Sequence, residues 1–174
     1  MDIEDFLKMV PEPGSPLFTL EKDMDEDRKK SSCMPPMRMN GLRGISFTVT
    51  GLPVAKARPR LGKGGNTYTP QRTVNYETVV GLVARSVMGN NPFLEPPIRA
   101  YITFYFPYRK KKYAGKKPAY YVSRPDLDNL EKTILDACNG IIYKDDAGVA
   151  SVWKEKRLDD FPRVEVRFSE IEDE

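Results

Sequence analysis

Apolar and polar positions along the chain sort into segments of two periods. Ile45, Phe47 and Val49 alternate with Ser46 and Thr48, as a half-buried strand should, and Gly51-Leu52-Pro53 ends the run. Residues 71–88 carry Val74, Val79, Leu82, Val83 and Val87 as an imperfect apolar face of a helix, which Gly89-Asn90-Asn91-Pro92 terminates. From Ile98 to Phe106 the chain is dense in β-branched and aromatic residues, which predicts a strand with substantial burial. Residues 128–138 predict a second helix, with Leu127, Leu130, Ile134 and Cys138 toward the core. The run Ile141-Ile142-Tyr143 reads as a short strand, and Val149–Lys156 and Val164–Phe168 as further strands; Trp153, with Val149 and Val152 beside it, is expected in the core. The principal order, βαβαββ, is that of an α+β fold, a single domain in which one mixed β-sheet carries two helices.

The flanks read differently. Residues 11–43 are rich in Pro, Ser, Asp, Lys and Met without sustained periodicity, the composition of a linker or tail. Ahead of them, Ile3, Phe6, Leu7 and Val10 fall at i, i+3, i+4 and i+7, the stripe of a short amphipathic helix too short to be stable alone, and one that offers a docking face to a protein partner. The expected organisation is an extension over 1–43, a folded domain over 44–169 and an acidic tail over 170–174. No apolar run approaches the ~20 residues that span a bilayer, and the acidic start is unlike a signal peptide, so a soluble, cytoplasmic protein with no membrane partner is expected, in a bacterial or phage-infected cell.

Charge changes the picture more than composition does. The net charge is +3, yet residues 41–169 alone hold 22 basic and 12 acidic residues, while residues 1–40 and 170–174 are net acidic. A basic body between acidic ends points to a polyanionic partner. The chain contains no His and only two Cys, Cys33 and Cys138, which removes imidazole chemistry, structural zinc and a disulfide framework. Chemistry therefore falls to carboxylates, and an acid cluster without nitrogen or sulfur ligands favours Mg2+, with Mn2+ as a substitute.

The acids concentrate in Arg124-Pro125-Asp126-Leu127-Asp128-Asn129-Leu130-Glu131-Lys132 and in Asp145-Asp146. On an extended approach to the helix, Asp126 and Asp128 would point to one side with Cα atoms about 7 Å apart, while Asp128 or Asn129 caps the helix start. Asp128, Lys132 and Asp136 share a helical face, so Lys132 stands one turn from the acids, where an ammonium can hold a phosphate or stabilise developing negative charge. Asp136, about 12 Å along the axis from Asp128, is too far for the same metal and is expected to pair with Lys132. An EF-hand is excluded, because the required Gly and Glu positions counted from Asp126 hold Glu131 and Ala137. Asn139-Gly140 signals a turn that brings Asp145 and Asp146 back, and spacing alone does not choose between them.

Two basic segments accompany the acids. Lys56, Arg58 and Arg60 alternate along an expected extended arm, followed by Gly62, Gly64, Gly65 and Tyr68, a pattern that suits a phosphate backbone. Arg109, Lys110, Lys111, Lys112, Lys116 and Lys117 interleave with Tyr108, Tyr113, Tyr120 and Tyr121, cations for phosphates and rings for unpaired bases.

Together these residues resemble the RusA-like family of Holliday-junction endonucleases. The resemblance is carried by the run 125–132, Asp136-Ala137-Cys138-Asn139-Gly140, Tyr143-Lys144-Asp145-Asp146, Lys56-Ala57-Arg58-Pro59-Arg60 and Tyr68-Thr69-Pro70, and it covers about residues 44–169. It implies a homodimer that binds four-way DNA junctions or other branched DNA and cuts two strands with Mg2+ in recombination, repair or phage DNA processing. It implies Asp126, Asp128 and Asp146 as the metal-holding catalytic acids and Lys132 as the catalytic basic residue. The extension over 1–43 and the lysine-rich loop depart from the compact family pattern. The competing expectation is a non-catalytic protein that binds branched or single-stranded DNA as a recombination accessory.

Overall fold

Alternation and helical period are realised over most of the described residues. The computed structural model describes residues 42–58, 60–61, 66–108 and 118–172. The elements are β1 (Gly44–Thr50), a small hairpin of β2 (Arg60–Leu61) and β3 (Thr67–Tyr68), α1 (Gln71–Met88), β4 (Ile98–Pro107), α2 (Leu127–Cys138), a single 3-10 turn (Asp146–Gly148), β5 (Val149–Asp159) and β6 (Arg163–Glu170). The expected stripe at Ile3–Val10, the loop cations from Arg109 to Lys117 and the last two acids lie outside the described residues.

Four strands form one sheet in the order β1-β6-β4-β5. β6 runs antiparallel to β1 and β4, whereas β4 and β5 are parallel, so the sheet is mixed and α2 lies on the crossover between its parallel pair. The expected α+β fold, a mixed sheet with two helices, is the observed one.

Central position explains the composition of β4. Ile98, Ala100, Ile102, Phe104 and Phe106 alternate into a core shared with Val164, Val166 and Phe168 of β6, Phe47 and Val49 of β1, and Leu130 and Ile134 of α2. On the opposite face Tyr105 is also buried, its ring beneath the Arg163 guanidinium at 3.7 Å. Truncating Ile102 or Ile134 to Ala would remove about 2–5 kcal/mol.

Three sequence expectations are corrected here. α1 is rotated relative to the expected face: Thr73, Val80, Gly81, Ala84 and Met88 are buried and Val79 and Val83 pack partly buried beside them, as expected, while Leu82 is 54% exposed and Val74 and Val87 are exposed too. Small residues decide this, because a Cβ on Gly81 would stand 3.3 Å from Ile141 Cδ1 and 3.4 Å from the Ala137 carbonyl, so α1 can approach α2 closely only on that side. Trp153 is not in the core; it lies on the outer strand β5, 38% exposed, tilted against Tyr101 at 6.2 Å. Ile141–Tyr143 is a turn with one bridge, Asn139 to Tyr143, rather than a strand.

Candidate active site

The first acid pair sits where an extended segment becomes a helix. Asp126 is the N-cap of α2 in extended conformation (φ −73°, ψ 148°), and Asp128 lies in the first turn. The two are therefore not neighbours along a strand, as an extended approach would have made them: one belongs to the loop and the other to the helix. Neither Asp128 nor Asn129 is the cap, and Asp126 makes no side-chain capping bond. The helix N-terminus favours both negative charges through its dipole.

Down the same face, Lys132 is 62% exposed with its ammonium 3.6 Å from Asp136. Asp136 is held more closely by Lys56, whose Nζ lies 2.9 Å from it and 2.5 Å from Glu77 of α1. Burial opposes the charge on Lys56, but Glu77 and Asp136 raise its pKa above the ordinary lysine value. The Lys56 amide also donates to the Asn129 carbonyl at 2.8 Å, so the arm is fastened to both helices. Arg58 is exposed, Tyr68 is exposed on β3, and residues 56–58 are not in a strand.

The second acid pair returns through a turn that glycine permits. Gly140 has φ +69°, a conformation side chains resist, and its N–H donates to the Tyr143 carbonyl at 2.9 Å. Tyr143 is buried, and its hydroxyl donates to the Leu135 carbonyl at 2.9 Å. Burial first, then the negative potential of Cys138, Asp146 and Asp136, pushes that phenol far above its ordinary pKa. Burial likewise pushes the Cys138 thiol up to about 12, which removes it as a nucleophile. Asp145 accepts the Ala147 N–H at 3.0 Å and caps the 3-10 turn, while Asp146 begins that turn, half-buried. The turn thus separates two acids that spacing leaves equivalent.

Several acids of the body have cations. Glu131 pairs with Lys154, Glu155 with Arg157, Asp159 and Glu165 with Arg163, and Glu170 with Arg43. Among the described residues, Asp126, Asp128 and Asp146 have no ion pair with a basic side chain, and neither do Asp145 and Glu95. The chemistry of the first three fits a hard cation, because all donors are carboxylate oxygens and no lysine or arginine already neutralises them. Among the described residues, however, no three acids stand close enough together to hold a metal ion.

Sequence reasoning missed Lys156. Even-numbered positions of β5 face the helices: Val152 and Leu158 pack on the core, and between them Lys154 reaches Glu131 of α2. Lys156 reaches the loop before Asp126, its Nζ donating to the carbonyls of Ser123 at 2.8 Å and Pro125 at 2.9 Å. Two lysines at i and i+2 between apolar positions of the same face are the signal that something polar faces them. Beside this loop a cleft of about 410 Å3 opens, walled by Pro53, Phe106, Tyr121 and Pro125, with Arg72 and Arg124 exposed at it.

Comparison with known proteins gives the family. The family model described as Endodeoxyribonuclease RusA matches residues 50–169, which include both acid pairs, Lys132 and Lys156. A Bacillus subtilis (strain 168) protein described as "Uncharacterized protein YqaN" is 33% identical over 138 residues, spanning 73% of this chain and 96% of its own length. The chain belongs to the RusA endodeoxyribonuclease family.

Proposed function

We propose that this protein is a Mg2+-dependent endonuclease that resolves four-way DNA junctions by paired phosphodiester hydrolysis. The observation that supports it best is that Asp126, Asp128 and Asp146, without cations among the described residues, flank the second helix and its returning turn within a chain of an endodeoxyribonuclease family. These three residues would hold the metal. Bound there, the ion supplies polarisation of a phosphate oxygen and acidification of water. Mn2+ would substitute.

The chain's own residues supply the rest. Lys132, exposed and held only loosely by Asp136, is placed to exchange that carboxylate for a phosphate and to offset charge developing on it. Arg58, Arg60 and Tyr68 on the arm, with Arg109, Lys110, Lys111, Lys112, Lys116 and Lys117, would follow the DNA backbone. Lys56, already held by two carboxylates, would act from behind, holding the arm in place. Symmetric cuts require two sites, so the working unit is a two-fold homodimer. Residues 1–43 would engage a protein partner, and the expected setting is the cytoplasm, in recombination, repair or phage DNA processing. Among the described residues no helix is long and apolar enough to cross a membrane.

Incubating the protein with synthetic four-way junction, fork, flap and linear duplex, with and without Mg2+, tests this reading. Paired nicks in the junction, dependent on Mg2+, are expected. Junction binding with no nicking under any metal condition would instead identify a non-catalytic accessory protein, in keeping with acids that are not gathered in the described structure.

A further inference from the structure

We propose that the cleft beside the loop into α2 binds one unpaired nucleotide of a DNA strand, its base against the apolar walls and its phosphate on Arg72 and Arg124. The inference rests on the chain's membership of a DNA-acting family and is independent of any metal held by the acids.

Four separate segments meet at the cleft. Pro53 stands after β1, Arg72 in the first turn of α1, Phe106 near the end of β4, and Tyr121, Arg124 and Pro125 in the loop before α2. These segments are fastened to the body. The Gly51 amide donates to the Pro162 carbonyl at 3.0 Å and the Lys56 amide to the Asn129 carbonyl at 2.8 Å, so the stretch between them is held at both ends. In the loop before α2, Lys156 Nζ donates to the carbonyls of Ser123 at 2.8 Å and Pro125 at 2.9 Å, and the Tyr121 hydroxyl to that of Arg124 at 2.9 Å. The Tyr121 ring is stacked on Phe106, with centroids 4.1 Å apart and 11° between planes. The walls are therefore set before a ligand arrives, which lowers the ordering cost of binding.

Chemistry and size select the occupant. The rings of Pro53, Phe106, Tyr121 and Pro125 give the cleft flat apolar surfaces, on which a nucleobase can pack. Arg72 and Arg124 are exposed, and among the described residues neither has an ion pair. No acid is among the described residues that line the cleft, so its charge is positive and complements a phosphate. Its volume of about 410 Å3 lies toward the lower end of the roughly 300–1,000 Å3 of ligand clefts. That is room for one nucleotide and not for a duplex, where stacking already covers the faces of each base. Only a base turned out of the stack, as at a branch or a bulge, can enter. Pro125 immediately precedes Asp126, so a nucleotide held here lies against the segment that carries the first acid.

Fluorescence anisotropy in EDTA tests the proposal, with the full chain binding a labelled duplex that carries one bulged thymine, or the same duplex with an abasic site at the bulge. The two carry the same phosphates and differ only in the base. Wild-type protein is expected to bind the thymine duplex about tenfold more tightly, the low end of what base stacking on rings contributes. Tyr121→Leu, which removes the ring and leaves an apolar wall, should cut that preference to about twofold. Arg124→Ala, at an exposed position, should weaken binding of the thymine duplex about fivefold and of the abasic duplex by less than about twofold; it provides the test should Tyr121→Leu fail to fold. Equal affinities of the wild type for the two duplexes would leave the cleft to an apolar segment of a protein partner and overturn the inference. A preference retained in full by both variants places the base elsewhere and overturns it too, and dTMP binding as tightly as the thymine duplex would assign the cleft to a free nucleotide instead. Protein that binds neither duplex nor a four-way junction overturns the DNA-acting reading itself, which separates the two failures.

Discussion

Two aspartates occupy equivalent backbone positions and are used in opposite ways. Asp126 precedes α2 and Asp145 precedes the 3-10 turn, and both are extended residues at the N-cap. Asp145 folds its carboxylate onto the Ala147 amide, the ordinary use of an acid at such a place. Asp126 makes no such bond and has no ion pair among the described residues. Among the described residues a similar contrast runs through the body: Glu131, Glu155, Asp159, Glu165 and Glu170 have ion pairs, and Asp126, Asp128 and Asp146, like Glu95, have none. An acid that stabilises the fold has a partner within the fold. On the reading proposed above, the acids near the helix N-terminus and its returning turn would be the ones left for an external cation.

The sharpest way to break this comparison is to exchange the roles within the returning pair. Asp146→Asn should lower junction cleavage by about 10²–10³-fold or more while the melting temperature is unchanged or raised. Asp145→Ala should cost about 1 kcal/mol of stability through the lost cap and leave cleavage within a few fold. Equal losses of cleavage in initial-rate assays of the two variants would erase the distinction that the 3-10 turn draws.

Much of this was legible in the sequence. The strands from Ile45, Ile98 and Val164 followed from alternation and β-branched density, because each carries one face into a common core. What was not legible depended on tertiary fit. The inward face of α1 was set by how closely Gly81 lets α2 approach, a requirement that outweighs the more hydrophobic Leu82. The core position expected for Trp153 followed from its valine neighbours, but strand order places β5 at the outside of the sheet, and strand order is not local information. At the site, the acids stood out in sequence because histidine is absent. The pairing of Lys56 with Glu77 and Asp136, and the reach of Lys156 to Ser123 and Pro125, join segments more than 20 residues apart and left only the faint trace of charged residues on inward-facing positions.

A neutralised acid should show the converse behaviour. Glu170 accepts the Glu95 amide at 2.8 Å and pairs with Arg43. Burial alone would raise its pKa, but these donors hold it below the ordinary value of 4.5. A carboxylate depressed in the native state stabilises the fold above its unfolded pKa, and that contribution is lost as pH falls through the lower native value. Glu170→Gln should therefore cost about 1–2 kcal/mol at neutral pH and flatten the fall of the urea midpoint below roughly pH 4.5, with the cleavage rate of the folded protein unaltered. An equally steep acid loss in the variant would place that dependence elsewhere.

The smallest effect concerns a polar group without a task. Among the described residues the buried Tyr76 hydroxyl has no hydrogen-bond partner, and burial raises its pKa far above the ordinary tyrosine value. Tyr76→Phe should be neutral or stabilise by up to about 1 kcal/mol, read as melting temperature, with no change in cleavage. A clear destabilisation would show that this hydroxyl has a structural role.

Asp128 tests the central claim most directly, because it belongs to the helix and its replacement leaves the N-cap and the loop untouched. Wild-type protein and Asp128→Asn would be compared on one labelled four-way junction, measuring binding in EDTA and cleavage after Mg2+ addition. The account predicts paired, Mg2+-dependent cuts by the wild type, and by the variant no cleavage with junction binding equal or tighter, since repulsion of phosphate is relieved. Full cleavage by Asp128→Asn would contradict it.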